Sequence, residues 1–266
     1  MMVGIAAPLR SQATDSAHTP AAAVLDPRAV RPERPTVATH AYAVAPGYVE
    51  VEAGVQDARP GGVTQFTAPL VVKIGIVPRL QLELQGGYVR NGATDAASGV
   101  SDVAVALKQR LVDAVAVLGD IAVQGTVKLP TGSRDVGTGT TDLSLLLISS
   151  RPMGDAELDL NAGYTHRSGN GTVIPTSATL VTASFGTPVS GLIGAVAELF
   201  GYPATSGPSG APTAVGFLFG PTLQVRPWLV LDAGAILNVR NMGANAAYAG
   251  VTYNVGRIPG FPVLRR

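Results

Sequence analysis

The sequence predicts an all-β protein, a transmembrane antiparallel up-and-down β-barrel of about 12 strands with short periplasmic turns and longer external loops. Three observations predict it. Apolar and polar residues alternate along most of the chain, as in Leu80-Gln81-Leu82-Glu83-Leu84-Gln85. Successive strand side chains point to opposite faces, so each run builds one oily and one wet face. Charged residues make up 14% of 266 and mean hydropathy is +0.29. Soluble domains carry about 25% charge, so the outside of a β-sandwich would go largely uncoated. No stretch reaches the ~18 apolar residues of a membrane helix, which leaves strands to do the crossing.

Along the chain, Met1 to Leu9 is small and apolar, and Ser11-Gln12-Ala13 has the form of a cleavage site. We read 1–45 as a signal-peptide remnant and a flexible leader, because Thr14 to Ala45 is rich in Ala, Pro and Arg without a sustained period. The barrel is expected over 46–256 and a tail over 257–266. Alternating segments fall near 47–55, 63–76, 80–90, 101–111, 115–129, 141–149, 156–167, 177–186, 191–201, 214–225, 229–239 and 247–256. Short turns are expected at Val77-Pro78-Arg79, Val112-Asp113-Ala114, 151–155, 187–190 and Arg226-Pro227-Trp228. Longer Gly-rich connections fall between them, and this sorting of turns from loops is the habit of outer-membrane barrels.

The lipid face then takes Leu70, Val72, Ile74, Leu80, Leu82, Leu84, Val103, Val105 and Leu107 among others. Aromatics near strand ends, with Tyr88, Tyr164, Phe200, Tyr202 and Phe217 toward the loops and Tyr48, Phe185, Trp228 and Tyr253 toward the turns, are expected to form interfacial girdles. The opposite face holds the candidate lumen lining: Lys73, Glu83, Lys108, Arg110, Asp120, Gln124, Lys128, Asp142, Glu157, Asp159, Arg167, Glu198 and Asp232. Folding the hairpins sets Lys73 opposite Glu83, Lys108 opposite Asp120, and Lys128 opposite Asp142, so opposite charges meet three times. We read these pairs as bracing for the wall. Twelve tilted strands make a backbone cylinder about 24 Å across, with about 10 Å free between side chains, enough for small solutes.

Composition excludes several chemistries. With no Cys, disulfides, thiol catalysis and Cys-based zinc sites are absent. His18, His40 and His166 are scattered, with no second ligand at metal spacing. No cofactor is expected. A net charge of +1 gives no reason to expect nucleic acid. Gly132 to Gly137 has GxxxxG spacing, but Thr138-Gly139 stands where a phosphate loop needs Lys and Ser/Thr.

Ser101-Asp102-Val103 leading to Lys108, and Leu129-Pro130-Thr131-Gly132 followed by Gly137-Thr138-Gly139 and Asp142, resemble outer-membrane proteins of the phenol meta-pathway type. Glu198-Leu199-Phe200-Gly201 and Tyr248-Ala249-Gly250-Val251-Thr252-Tyr253 are similar to the same family. The resemblance spans about 47–256. It implies an outer-membrane barrel of the twelve-stranded type that passes small hydrophobic or aromatic compounds, and it carries over no catalytic residue. Tyr248-x-Gly250-x-x-Tyr253-x-Val255 also resembles the terminal signal read by the outer-membrane assembly machinery, although Gly256 to Arg266 follow it.

One enzymatic alternative is His166-Arg167-Ser168, which resembles the His-x-Ser of outer-membrane lipid A deacylases. No carboxylate between Asp159 and Glu198 is available to orient His166, so a non-enzyme is expected. Glu157 and Asp159 share a face as a hydrolase dyad would, but lack surrounding sugar-binding aromatics. The reading is therefore a passive channel in the outer membrane of a Gram-negative-type bacterium, gated by external loops. Its partners are the bilayer, lipopolysaccharide, the assembly machinery and a small permeant. A lipid hydrolase and a closed structural barrel are the alternatives.

Overall fold

The computed structural model describes residues 26–92 and 97–262. The expected signal-peptide remnant over Met1 to Ala13 lies outside them. Thirteen strands follow one another: β1 (Tyr48–Ala58), β2 (Gln65–Val77), β3 (Leu80–Asn91), β4 (Ser98–Val100), β5 (Val103–Val115), β6 (Gly119–Leu129), β7 (Asp142–Met153), β8 (Ala156–Arg167), β9 (Ser177–Ser190), β10 (Ile193–Tyr202), β11 (Ala214–Arg226), β12 (Leu229–Arg240) and β13 (Ala246–Arg257). Twelve are long wall strands. The short β4 continues the line of β5 and pairs with β3 alone.

Successive wall strands pair antiparallel, and β1 pairs with both β2 and β13, so the sheet closes on itself. Closure leaves no long edge and satisfies the ladder internally, the condition for crossing a bilayer. Tight turns at Pro78–Arg79, Gly154–Asp155, Gly191–Leu192 and Pro227–Trp228 gather at one end. The connections 130–141, 168–176 and 203–213 gather at the other. These are called the turn end and the loop end below.

Leu70, Leu84, Val103, Val105 and Leu107 face outward and are exposed, while Gln81, Glu83, Lys73 and Lys108 are buried on the inside. Three expectations need correction. The fifth strand runs on to Val115, so its hairpin reverses at 116–118 and not at Val112 to Ala114. Irregularities after Arg110 and Val112 move the register, and Lys108 stands opposite Gln124, away from Asp120. Phe200 is not part of a girdle. It is 3% exposed and packs inside the barrel with Leu218 and Tyr248.

The largest difference concerns the leader. Residues 26–45, expected to be flexible, enter the barrel from the turn end and leave again toward β1. Val30, Ala38, Thr39, His40, Ala41, Tyr42 and Val44 are buried there. A leader with no period of its own lacks a face to bury as helix or strand. Its backbone groups must find partners elsewhere, and the wet lumen supplies them.

Candidate functional site

The site is the turn-end half of the lumen, filled by the strap 26–45. Where the strap enters, Arg28 donates to the Asn254 carbonyl and lies over the Trp228 ring at 5.0 Å, and the Val30 N–H donates to the Pro227 carbonyl. Next to β1, the Arg31 N–H donates to Glu50 Oε2 (3.2 Å) and the Glu33 N–H to Glu52 Oε1 (2.8 Å). At the crest, the Val37 and Ala38 N–H groups both donate to the Glu198 carboxylate at 2.7 Å. The chain then crosses to the far wall. The Thr39 N–H donates to Asn161 Oδ1, whose Nδ2 returns a bond to the Thr39 carbonyl, and the Ala41 N–H donates to Ser150 Oγ. The exit is fixed by the Val44 N–H on Gln81 Oε1 and by the Pro46 bridge to Gly75. Strands β1, β3, β7, β8 and β10 thus each lend inward side chains to satisfy a segment with no ladder of its own.

Charge reinforces this seat. Lys73 is fully buried, with Nζ 2.5 Å from Glu50, 2.6 Å from Glu52 and 2.9 Å from the Arg31 carbonyl. Lys108 pairs with Glu33 and donates to the His40 carbonyl. Arg34 reaches Asp232 (3.5 Å) and the Ala249 carbonyl (3.4 Å). Its guanidinium lies over Gly54 and Gly250, register partners on β1 and β13, where a Cβ on either would overlap it. The wall around the strap carries the carboxylates Glu50, Glu52, Glu83, Asp120, Glu157, Asp159, Glu198 and Asp232 against Lys73, Lys108 and Arg110. The strap brings three arginines, Arg28, Arg31 and Arg34, against two carboxylates, Asp26 and Glu33. The two surfaces are complementary in sign.

The sequence-derived lining residues distribute as follows. Lys73 is the register partner of Glu83, but its ion pairs go to Glu50 and Glu52, while Glu83 accepts from Gln81 and Gln85 on its own strand. Arg110 pairs with Asp120 at 2.8 Å, Glu157 accepts from the Tyr42 hydroxyl, and Asp159 accepts from Ser150. Gln124 is buried on the inner face of β6. Lys128, Asp142 and Arg167 lie apart from the strap, at the loop end. Lys128 meets Asp142 (3.2 Å) and Asp102 (3.1 Å), and Arg167 meets Asp142 (3.5 Å).

Asp102 is the pivot of that second group. It accepts from the Gly132 N–H and from both the N–H and hydroxyl of Thr138, which folds the β6–β7 loop back over β5. Burial pushes its carboxyl up, yet these bonds and the one from Lys128 outweigh it and hold the group well below the usual carboxylate range.

Sequence reasoning missed Glu50, Glu52, Arg31, Glu33 and Arg34. The available signal was Glu50-x-Glu52 on one face of the first strand, together with glycines at inward positions of otherwise regular strands. At Gly75 a Cβ would overlap the strap's Val44 and Ala45 carbonyls. A second sector of the lumen is apolar: Phe200, Leu218 and Tyr248 pack with Val37, Val196, Ile236 and Met242. Glycines make room here as well, since a Cβ at Gly216 would overlap the Phe200 ring and one at Gly234 the Tyr248 hydroxyl. Between the strap and β8–β12 a cavity of about 460 Å³ opens, bordered by Glu157, Ser184, Gly186, Gly194 and Thr222. His166 is exposed on the outer wall, and Ser168 Oγ accepts from the Thr141 N–H, so the two form no nucleophile–base hydrogen bond.

A family model described as "Putative MetA-pathway of phenol degradation" matches residues 33–254. No curated protein matches the chain. Among solved structures, the chain is similar to the COG4313 outer membrane channel from Pseudomonas putida F1, at TM-score 0.62 and 15% identity, covering 85% of this chain and 99% of that one. It is also similar to the NanC porin (TM-score 0.56, 11% identity, 77% and 98% covered). A third match is the KdgM porin in complex with disordered oligogalacturonate (TM-score 0.53, 9% identity, 77% and 98% covered). At these identities the likeness is one of fold, and the fold is that of outer-membrane β-barrels.

Proposed function

The chain belongs to the family of the MetA-pathway of phenol degradation, and from that premise we propose that it is an outer-membrane channel for passive uptake of small hydrophobic or aromatic molecules. The observation that carries this reading is the division of the lumen into two sectors. Lys73, Glu83, Lys108 and their partners make one side ionic, while Phe200, Leu218, Tyr248 and Ile236 make the other apolar and partly aromatic. A closed scaffold needs no such division. A planar solute with one polar edge fits between the sectors, sliding on rings and aliphatic groups with its polar edge toward the charged wall.

In this conformation the strap occupies the turn end of the lumen, and we assign gating to it more than to the external loops. Passage requires the crest at Val37 and Ala38 to leave Glu198. We take the thirteen charged and amide side chains of the sequence-derived lining as the polar wall of the path, with no catalytic step and no cofactor. The last strand, with Tyr248, Gly250, Tyr253 and Val255, presents the pattern by which the assembly machinery takes up such barrels.

Liposome swelling tests the permeant class. Vesicles carrying the protein are expected to swell faster in an isotonic uncharged aromatic glycoside than in a non-aromatic glycoside of similar mass. Equal swelling in both would remove the aromatic preference, and none in either would favour a closed structural barrel.

A further inference from the structure

On the outer wall, β2 and β3 carry a feature that permeation does not use. The row Phe66, Ala68, Leu70 and Val72 of β2 faces the row Arg90, Tyr88, Gly86 and Leu84 of β3, register partners in that order. Leu70, Leu84 and Tyr88 are exposed, and so is Val103 on the neighbouring β5. Gly86 and Ala68 leave a dip among them. The only atom near a Cβ built on Gly86 is a Val103 methyl, at 3.9 Å. Here a cavity of about 610 Å³ is bordered by Leu70, Leu84, Gly86, Tyr88 and Val103. A second of about 590 Å³ continues it toward the loop end, bordered by Asp57, Thr64, Phe66, Tyr88 and Arg90. Tyr88 borders both.

We propose that this groove seats one lipopolysaccharide molecule, with an acyl chain over Gly86 and a phosphate of its headgroup beside Arg90. The lower cavity is apolar and lies at hydrocarbon depth. The upper one is more polar than the lower and is bordered by Phe66 and Tyr88, the aromatic pair expected where lipid meets headgroup. From Leu84 to Arg90 the strand rises about 20 Å, the span of a chain with its polar end. Among the described residues there, Arg90 and the exposed Arg59 stand against one carboxylate, Asp57, with which Arg59 pairs at 3.6 Å, and so offer guanidinium for phosphate. The occupant follows from the end of the barrel involved. Long loops face outward in barrels of this kind, so the groove opens to the outer leaflet, where the phosphorylated lipid is lipopolysaccharide.

The test is retention of purified rough lipopolysaccharide by the full-length protein in detergent, read by native mass spectrometry, with phosphatidylglycerol as the competing lipid. Gly86→Trp fills the dip on a lipid-facing position, and Arg90→Glu reverses the headgroup contact without entering the lumen. Each is expected to lower lipopolysaccharide retention at least tenfold, with heat-modifiable migration unchanged. Phosphatidylglycerol is expected to bind weakly and equally to all three proteins. Unchanged lipopolysaccharide retention in both variants overturns the proposal. So does phosphatidylglycerol held as tightly as lipopolysaccharide and lost in the same variants. If Gly86→Trp fails to fold, Arg90→Glu decides alone. Neither residue touches the lumen, so swelling rates stay at the unmodified level whichever way the lipid result falls.

Discussion

Lys73 shows how much one residue carries inside this barrel. Its ammonium is the shared cation of Glu50 and Glu52 and also holds the Arg31 carbonyl, with no exposure to solvent. Removing one partner of a buried ionic group leaves the rest uncompensated, at about 3–5 kcal/mol. Lys73→Met is therefore expected to lower stability by about that amount in urea unfolding from detergent. Adding Glu50→Gln and Glu52→Gln should recover most of it; no recovery would show that the lysine acts by packing alone. Asp102 makes a different prediction, one of pH. Its folded value lies below the unfolded value of about 3.9. The latch on Gly132 and Thr138 thus contributes fully above that value and is lost only as pH falls through the lower, folded one. Amide exchange at Gly132 and Thr138 should stay slow at pH 4, and Asp102→Ala should speed it at every pH. Fast exchange at pH 4 in the unmodified protein would contradict the latch.

At the scale of elements, the wall was legible in the sequence and the strap was not. Alternation placed eleven long strands within a few residues because period-2 patterning is set locally by which face meets lipid. The fifth strand ran past its expected turn because Ala114, Val117 and Gly119 take positive φ, so the reversal came later than composition suggested. Two of the three charge pairs kept their register, Lys73 with Glu83 and Lys128 with Asp142, and only the second is an ion pair. Register follows from the hairpin, but a charge inside a closed wall chooses among neighbours on both sides and among residues of the strap. Residues 26–45 have no period because their partners are long-range side chains, which no local window reports. Their seat is testable through the Gly54–Gly250 slot. Gly250→Val keeps the ladder and favours the strand, yet excludes the Arg34 guanidinium. Amides of Val37, Ala38, Thr39 and Ala41 are expected to exchange slowly in the parent barrel and at least tenfold faster in this variant. Unchanged protection would mean that the strap is held without Arg34.

For the molecule as a whole, the low charge that argued for a membrane barrel is unevenly spent: nearly all of the ionic groups that are buried face the lumen or the strap. A wall with more carboxylates than cations, partly offset by an arginine-bearing strap, makes closure and selectivity one property. With the strap seated its arginines offset part of the wall's negative charge; with it displaced the lumen is more acidic, and the open state is expected to prefer cations. The chain has no cysteine of its own, so a disulfide between Ala41→Cys and Ser150→Cys, placed where the Ala41 backbone N–H donates to Ser150 Oγ at 2.8 Å, serves as the lock. The decisive measurement is planar-bilayer conductance of this double variant, oxidised and then reduced on the same membrane. The strap account predicts silence while the disulfide holds, and cation-preferring openings after reduction that match those of the parent barrel. Equal conductance before and after reduction would contradict it, because ions would then be passing a strap that cannot move.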